Sequence, residues 1–535
     1  MISSLADVVA LQWGARRWAV AGLAGAVSAL AMPPFDLVPV LFVTFPVLIW
    51  LIDSAISESG KTGQRSLRSA FVAGWFFGFG YFLAGLWWIG FAFLVEADRF
   101  AWMMPFAMLA MPAALALFYG LAAALSRLFW RSDMLRIFIF ALCFGAIEIL
   151  RGHIFTGFPW NSFGYAFAAT DLTMQSASLL GLDGLSVLAF AIFAAPTLLD
   201  GQSGSRFARN AAVGFVVVSV AGVLGYGGWR LSLDVPEPAN ETRLRIVQPS
   251  IPQAEKWRPD LRDRNFERLL ELSDVATSPE AGGAIDRDII IWPESALPFY
   301  YQDQPVARQA VAGLLRPGSI LVTGLLRYDV QTEGDAKIFN AIAMIDATGA
   351  IAARYDKVRL VPFGEYLPFQ DFLERWGIRQ LTDLPGGFAP GESVMPMRHA
   401  RLPSFWPLIC YEVIFPGFLP RGTDAPRPAF LLNVTNDAWY GDTPGPRQHL
   451  RQAQMRAAEQ GLPMARAANN GISALINAKG IVVSELPLDA ATVIDTALPG
   501  ALPSTPYVRS HGLVAHGLLM LLALSLLRRR RSEHA

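Results

Sequence analysis

"PLICYEVIFP" (Pro407–Pro416) sets a cysteine, Cys410, where an apolar run gives way to Tyr411 and Glu412. The 535-residue chain has two cysteines, and the other, Cys143, lies far away inside a long apolar segment. That pattern does not indicate a disulfide framework. A buried cysteine is most often a small hydrophobe with inert packing, and Cys143 fits that description. Cys410 fits it less well, because a polar and an acidic residue follow directly on a strand-like run. The alternative is a nucleophile, and a thiol needs a base or a cation nearby to become thiolate.

Outward from this stretch the chain alternates buried-strand and amphipathic-helix patterns. "LRIVQPSI" (244–251), "RDIIIWPES" (287–295) and "SILVTGLLR" (319–327) read as strands. "IFNAIAMIDATGAIAARYDKV" (338–358) reads as two strands joined by a turn at 346–349. "DLRDRNFERLLELSDVA" (260–276) and "PRQHLRQAQMRAAEQGLPMARAA" (446–468) read as helices. This predicts a layered α/β domain over 243–498. Two further strand ends carry reactive groups. Glu294 follows Trp292-Pro293, either capping a helix to come or aimed outward by the proline. Lys357 ends a strand, where a snorkelling surface lysine is the ordinary reading. Of 44 Lys and Arg residues, however, only Lys61, Lys256, Lys337, Lys357 and Lys479 are lysine. A chain that uses arginine for ordinary positive charge keeps lysine where a compact charge with a movable pKa is needed. Glu365, eight residues on in a Pro-Phe-Gly turn, could pair with Lys357 or hold a loop.

The rest of the chain is lipid-like. Hydrophobic residues make up 53%, charged residues 16%, and the mean hydropathy is +0.37, against about 25% charged in an ordinary soluble chain. Seven apolar segments occupy 1–230, at about 16–33, 37–53, 69–95, 101–126, 135–151, 175–199 and 209–229, and an eighth lies at 512–528, each near the ~20 residues that span a bilayer. The first lacks a clean cleavage site and reads as an uncleaved anchor. Arg16, Arg17, Lys61, Arg65, Arg68, Arg127, Arg131, Arg136, Arg206, Arg209 and the run Arg528–Arg531 fall on one side, with only Arg99 and Arg151 opposite. The positive-inside rule then puts both termini in the cytoplasm and 243–498 outside. Glu148 and Arg151 share one helical face, as a structural ion pair or a contact for lipid headgroups. "WFFGFGYFLAGLWWIGFAF" (75–93) is either bundle core or the lining of a lipid path.

A net charge of zero argues against nucleic-acid binding. The six histidines and two cysteines form no metal-ligand spacing, and neither a phosphate loop nor a G-x-S-x-G elbow is present. No cofactor or metal is expected.

The chain order Glu294, Lys357, Cys410 resembles the triad of the nitrilase, or carbon-nitrogen hydrolase, superfamily. "VQPSIPQAEKW" (247–257), "WPESALP" (292–298), "YDKVRLVPFGEYLP" (355–368), "LICYEVIFP" (408–416) and "NVTNDAWYG" (433–441) resemble its membrane branch, the apolipoprotein N-acyltransferases, and the likeness runs over essentially the whole chain. The resemblance implies a multi-span α-helical membrane bundle plus a periplasmic αββα sandwich in a bacterial inner membrane. It implies acyl transfer from a phospholipid to the N-terminal α-amino group of a diacylglyceryl-cysteine apolipoprotein, through a thioester on Cys410. Glu294 would be the base, and Lys357 with the Tyr411 N–H the oxyanion partners. Glu365 and Glu412 would support Lys357 and the cysteine loop. Trp257, Phe363, Asn436, Trp439 and Tyr440 would line or cover the site. The partners expected are the phospholipid, the apolipoprotein and the bilayer, for a monomeric enzyme. The rival readings are a tethered amidase or nitrilase that uses water as acceptor, and a non-enzymatic lipid-binding protein.

Overall fold

The structure, a computed structural model, describes residues 2–55, 66–131, 133–201, 206–238, 241–278, 282–330, 336–370, 372, 375, 387–419 and 426–533. Two compact units emerge, one from Met1–Gly90, Met103–Leu233 and Thr505–Ala535, the other from Phe91–Trp102 and Asp234–Ser504.

The first unit is helical. Gly14–Ser28, Leu41–Asp53, Leu67–Leu86, Met104–Phe129, Leu135–Arg151, Ala177–Phe193, Arg206–Ser232 and Leu513–Glu533 form α-helices at the eight apolar segments. Among the described residues, four helical stretches are long and apolar enough to cross a membrane: Leu67–Leu94, Ala97–Phe129, Ala177–Leu199 and Arg209–Ser232. Val38–Asp53 and Leu513–Leu524 are shorter apolar helices. Apolar helices gain little from burying surface against one another in lipid, so close backbone packing carries their association. A Cβ on Gly25 would strike the Phe77 carbonyl, and one on Gly74 the Tyr119 carbonyl. Phe45 packs against the rings of Phe77, Phe140, Phe163, Phe190 and Phe193. Phe77, Tyr81, Phe82 and Trp88 are buried as well, so much of 75–93 is bundle core, while Trp87 stays exposed.

Buried charges in this unit tie helices to loops. Arg151 donates to the Phe158 carbonyl, to the Trp160 carbonyl at 2.9 Å and to Ser162 Oγ at 3.2 Å, and lies 3.5 Å from Glu148. Glu148 also accepts from Tyr119 Oη at 3.0 Å and from the Phe163 N–H. The pair therefore orders the loop after its helix, which answers the open question in favour of structure. Arg136, expected in a cytoplasmic loop, is buried between Asp53 at 2.9 Å and Asp200 at 2.5 Å. Lys61 and Arg65 lie outside the described residues.

Two sheets build the second unit. The strands are β1 (Arg243–Gln248), β2 (Ile289–Ile291), β3 (Ile320–Val330), β4 (Ala336–Asp346), β5 (Ile351–Asp356), β6 (Phe405–Ile409), β7 (Phe430–Thr435), β8 (Met464–Ala468), β9 (Ala474–Ile476), β10 (Val482–Glu485) and β11 (Thr492–Ala497). Among the described residues they pair as β11-β1-β2-β3-β4-β5 and β10-β9-β8-β7-β6. β1, β2 and β3 run parallel, as do β6, β7 and β8. Their continuous apolar runs, "III" in β2 and "FWPLI" in β6, suit strands covered on both faces. The helices Arg262–Asp274 and Pro305–Leu314 cover the first sheet, where Leu269, Ala307 and Val311 meet Ile290, Leu321 and Ile345 in one core.

One expected helix is shorter than its pattern. Pro444–Gln460 is helical, but Gly461 adopts a left-handed C-cap (φ +64°) and "MARAA" becomes β8. Glycine tolerates that φ, and Pro463 cannot continue a helix.

Candidate active site

In each sheet the parallel strands end on the same side, and carboxyl ends of such strands are where open α/β folds gather functional groups. β2 delivers Glu294, β6 delivers Cys410 and β7 delivers Asn436 and Asp437. β5, parallel to β3 through the intervening β4, delivers Lys357. No helix starts at Glu294, the next being the 3₁₀ turn Tyr301–Asp303, so the capping alternative falls away. Its loop folds back on β3 instead, with Gly324 N–H donating to the Pro293 carbonyl at 3.1 Å and Ala296 N–H to the Gly324 carbonyl at 2.8 Å. Gly324 is needed there, since a Cβ would sit 2.5 Å from Glu294 Cα.

Glu294, Lys357 and Glu365 meet in one buried cluster. Lys357 Nζ, 1% exposed, lies 2.9 Å from Glu365 Oε1 and 3.5 Å from Glu294 Oε1. Asn340 Nδ2, from the middle of β4, donates to both carboxylates, at 2.8 Å to Glu294 and 3.0 Å to Glu365. Glu365 Oε2 takes the Val361 N–H at 2.8 Å and so closes its own turn. Burial disfavours the Lys357 ammonium, but Glu365 and then Glu294 outweigh it and hold its pKa above the ordinary lysine value. Oε2 of Glu294 has no protein hydrogen bond among the described residues, the carboxylate's contacts being made through Oε1.

Cys410 sits on a strained corner. Its φ of +49° is uncommon for a residue with a side chain and marks the turn from β6 into the 3₁₀ helix Cys410–Ile414. Glu412 holds that corner to the lysine strand. Its Oε2 accepts from Ile409 N–H at 2.8 Å. Its Oε1 accepts from Val358 N–H at 2.7 Å, Arg359 N–H at 3.1 Å and Tyr355 Oη at 2.8 Å. Burial pushes the Glu412 carboxyl up to about 7 against the pull of those donors. Burial also raises the Cys410 thiol, Glu294 raises it further, and Lys357 opposes both. Cys410 is therefore held as a thiol, with Glu294 and Lys357 the charged groups that act on it.

The other expected residues divide. Tyr440 is half-buried, and its hydroxyl pKa is raised by burial and then by Cys410 and Asp437, which places it at the cysteine. Trp439 is half-buried beside it. The Tyr411 side chain is buried, edge-on to Phe415 with ring centroids 4.9 Å apart. Asn436 is occupied, donating to Gln253 Oε1 at 2.7 Å and accepting from Asn469 at 3.1 Å, so it braces the loop after β1. Trp257 and Phe363 are 44% and 53% exposed and free to meet an apolar ligand. Among the described residues no group of three His, Cys, Asp or Glu could hold a metal ion.

Three features escaped the sequence reading. Asn340 is the lone polar side chain in "IFNAIAMI" (338–345), a break in an apolar run that could have drawn notice. His449, dismissed as a metal ligand, has Nε2 3.2 Å from the Cys410 carbonyl and Nδ1 2.8 Å from Asp437, which Arg466 pairs at 2.7 Å. Burial would raise the Asp437 carboxyl, but Arg466 and His449 prevail and lower it to about 2. Lys256, in "QAEKW", is 2% exposed and donates to the Glu294 carbonyl at 2.9 Å. Its rarity as a lysine was the available signal.

Comparison with known proteins accords with this geometry. Residues 24–195 match the apolipoprotein N-acyltransferase N-terminal domain, and residues 243–507 match the carbon-nitrogen hydrolase domain. The apolipoprotein N-acyltransferase of Rhodopseudomonas palustris is 45% identical over 99% of this chain and 98% of its own. The chain belongs to the apolipoprotein N-acyltransferase family. Other apolipoprotein N-acyltransferases follow the same pattern: that of Brucella suis is 46% identical over 95% of this chain and 94% of its own, and that of Allorhizobium ampelinum 48% over 91% of each. As a family member it is a membrane-associated acyltransferase, with a helical bundle joined to a nitrilase-like α/β unit.

Proposed function

We propose that this protein moves a fatty acyl chain from a membrane phospholipid to the N-terminal α-amino group of diacylglyceryl-cysteine apolipoproteins, with Cys410 as the acyl carrier. The observation that carries the reading is the meeting of a carboxylate, an ammonium and a thiol from β2, β5 and β6 in a chain of this family. Glu294 takes the Cys410 proton, and the thiolate adds to the ester carbonyl carbon. Lys357 and the Tyr411 N–H stabilise the oxyanion, a contribution of about 10²–10³ in rate for a donor of this kind. The tetrahedral adduct collapses to a thioester as Glu294 returns its proton to the lysophospholipid alkoxide. Glu294 then takes one proton from the apolipoprotein ammonium and passes it to solvent. The amine attacks the thioester, and as the C–S bond breaks Glu294 carries the second nitrogen proton to the leaving thiolate, restoring the Cys410 thiol and completing a ping-pong sequence.

Both substrates carry acyl chains, and drawing one from lipid costs about 0.8 kcal/mol per CH₂, so the chemistry is brought to the bilayer. In this reading 1–230 and 512–528 are the transmembrane parts and 243–498 the periplasmic catalytic domain. Both termini lie in the cytoplasm, and the enzyme works as a monomer. Trp257, Phe363, Trp439 and Tyr440 wall the site against water. The test is mass spectrometry of the full-length protein from membranes supplied with a phospholipid labelled in its acyl chain. The acyl mass should appear on the peptide containing Cys410, vanish in Cys410→Ser, and pass to an added diacylglyceryl-cysteine peptide. Release of free fatty acid at the same rate with or without that peptide would instead identify a hydrolase.

A further inference from the structure

The charges around Cys410 leave one group without an assigned task. Two carboxylates, Glu294 and Glu365, share the Lys357 ammonium. When the thiol proton passes to Glu294, negative charge moves to sulfur and then to the substrate oxygen. Lys357 meanwhile stays hydrogen-bonded to Glu365, so its charge is only partly free to follow.

Lys256 is the second buried ammonium. It ends the short helical turn Gln253–Lys256 after β1, a different element from the one that carries Lys357. Among the described residues its Nζ has one hydrogen-bond acceptor, the Glu294 carbonyl oxygen. An ammonium has three donors, so two remain for other partners, and a buried cation in that state is costly unless it serves a nearby anion. The titratable groups that face it are Glu294 and Cys410. Its neighbour Glu255 is turned to Arg264 at 2.9 Å, and the Trp257 ring lies 6.0 Å away.

We propose that Lys256 is a second cation of the acyl-transfer site: a positioning residue that fixes the Glu294 main chain and supports negative charge formed at Cys410. The inference rests on the proposed function only for the identity of the acyl donor. Burial lowers the Lys256 pKa to about 8, while Glu294 and Cys410 pull it upward, so the group is mostly charged near neutrality and loses that charge as pH rises through 8. Arginine is no substitute, being planar and fixed in charge.

The test reads thiol reactivity without phospholipid. Full-length protein in detergent is treated with iodoacetamide from about pH 6.5 to about pH 9.5, and alkylation is followed on the peptide containing Cys410. Lys256→Met should slow alkylation about tenfold near pH 7, equivalent to one pKa unit of the thiol, and the gap should close above pH 8. Lys256→Gln keeps a donor for the Glu294 carbonyl but not the charge, and should be as slow as Lys256→Met. It also decides the matter should Lys256→Met not fold. A Lys256→Gln protein that alkylates at the wild-type rate over the whole range overturns the proposal. So does a deficit that stays constant with pH. Failure of the wild-type protein to form a thioester with labelled phospholipid would overturn the acyl-donor reading alone, because alkylation needs no donor.

Discussion

In the helical unit Arg151 and Arg136 lie fully buried, and both terminal nitrogens of each are closed by carbonyls, hydroxyls or carboxylates. The α/β unit also buries Lys357, Lys256, Glu294 and Glu365, yet Glu294 Oε2 and two Lys256 donors have no protein hydrogen-bond partner among the described residues. A buried guanidinium whose terminal nitrogens are all engaged holds segments together, although the Arg151 Nε has no hydrogen-bond partner among the described residues. A buried ion with valences open is poised for a group not yet present, and the surrounding fold carries its desolvation. Under the proposed function, the contrast separates scaffold charges from working charges within one chain.

The contrast is tested by breaking each kind. Arg151→Met removes the donors to two loop carbonyls and to Ser162 and leaves Glu148 without its cation. Loss of one member of a buried pair costs about 3–5 kcal/mol. Thermal unfolding in detergent should show a large drop in Tm, while Cys410 alkylation in protein that is still folded proceeds at the wild-type rate. A slowed Cys410 would mean that Arg151 is not merely scaffold. Lys357→Met is the converse. Thioester formation in protein that is still folded should fall by about 10²–10³, where Arg151→Met leaves the thiol unaffected, and Tm should fall here too because Glu294 and Glu365 lose the cation they share. Thioester formation within tenfold of wild type would remove Lys357 from the oxyanion role.

The strands that lead to Glu294 and Cys410 were legible because both residues follow an apolar run, and a run of "III" or "PLIC" has few readings other than a covered strand, whereas Lys357, after "IAARYD", stood out only as a scarce lysine. Glu294 and Glu365 were harder to tell apart, because only the three-dimensional arrangement shows Glu365 against Lys357 and Glu294 with an oxygen that has no protein hydrogen bond among the described residues. Lys256 was hidden by local context: "QAEKW" looks like an exposed turn, and nothing in it reveals that Nζ reaches a carbonyl 38 residues on. The end of the helix at Gln460 was misjudged because "QMRAAEQGLPMARAA" keeps a helical composition past Gly461. There one left-handed residue and a proline, rather than any change in hydrophobicity, redirect the chain. The Cys410 corner needed φ, which no composition encodes.

Glu412 stands between the two kinds of charge, with its valences filled but its pKa near neutrality, and it gives the smallest effect. Four donors from β5, β6 and the following loop converge on its two oxygens, so it must be ionised to serve all of them. As pH falls through about 7 it takes a proton, one N–H loses its acceptor, and the bracket between Lys357 and Cys410 loosens. Thioester formation should therefore decline on the acid side with a midpoint near 7. Stability moves the other way. The folded-state pKa lies above the ordinary 4.5, so the stabilisation from this group is full below 4.5 and is lost as pH rises through 7. Glu412→Gln cannot titrate, and its amide NH₂ meets one backbone N–H head-on, costing about 1–3 kcal/mol for an unsatisfied buried donor. It should form thioester about tenfold more slowly near pH 8 and lack the acid limb. An acid limb unmoved by Glu412→Gln would assign that titration elsewhere and leave Glu412 as scaffold alone. Because stability and activity are expected to run in opposite directions with pH in the wild type, parallel Tm and thioester measurements distinguish a loosened bracket from simple unfolding.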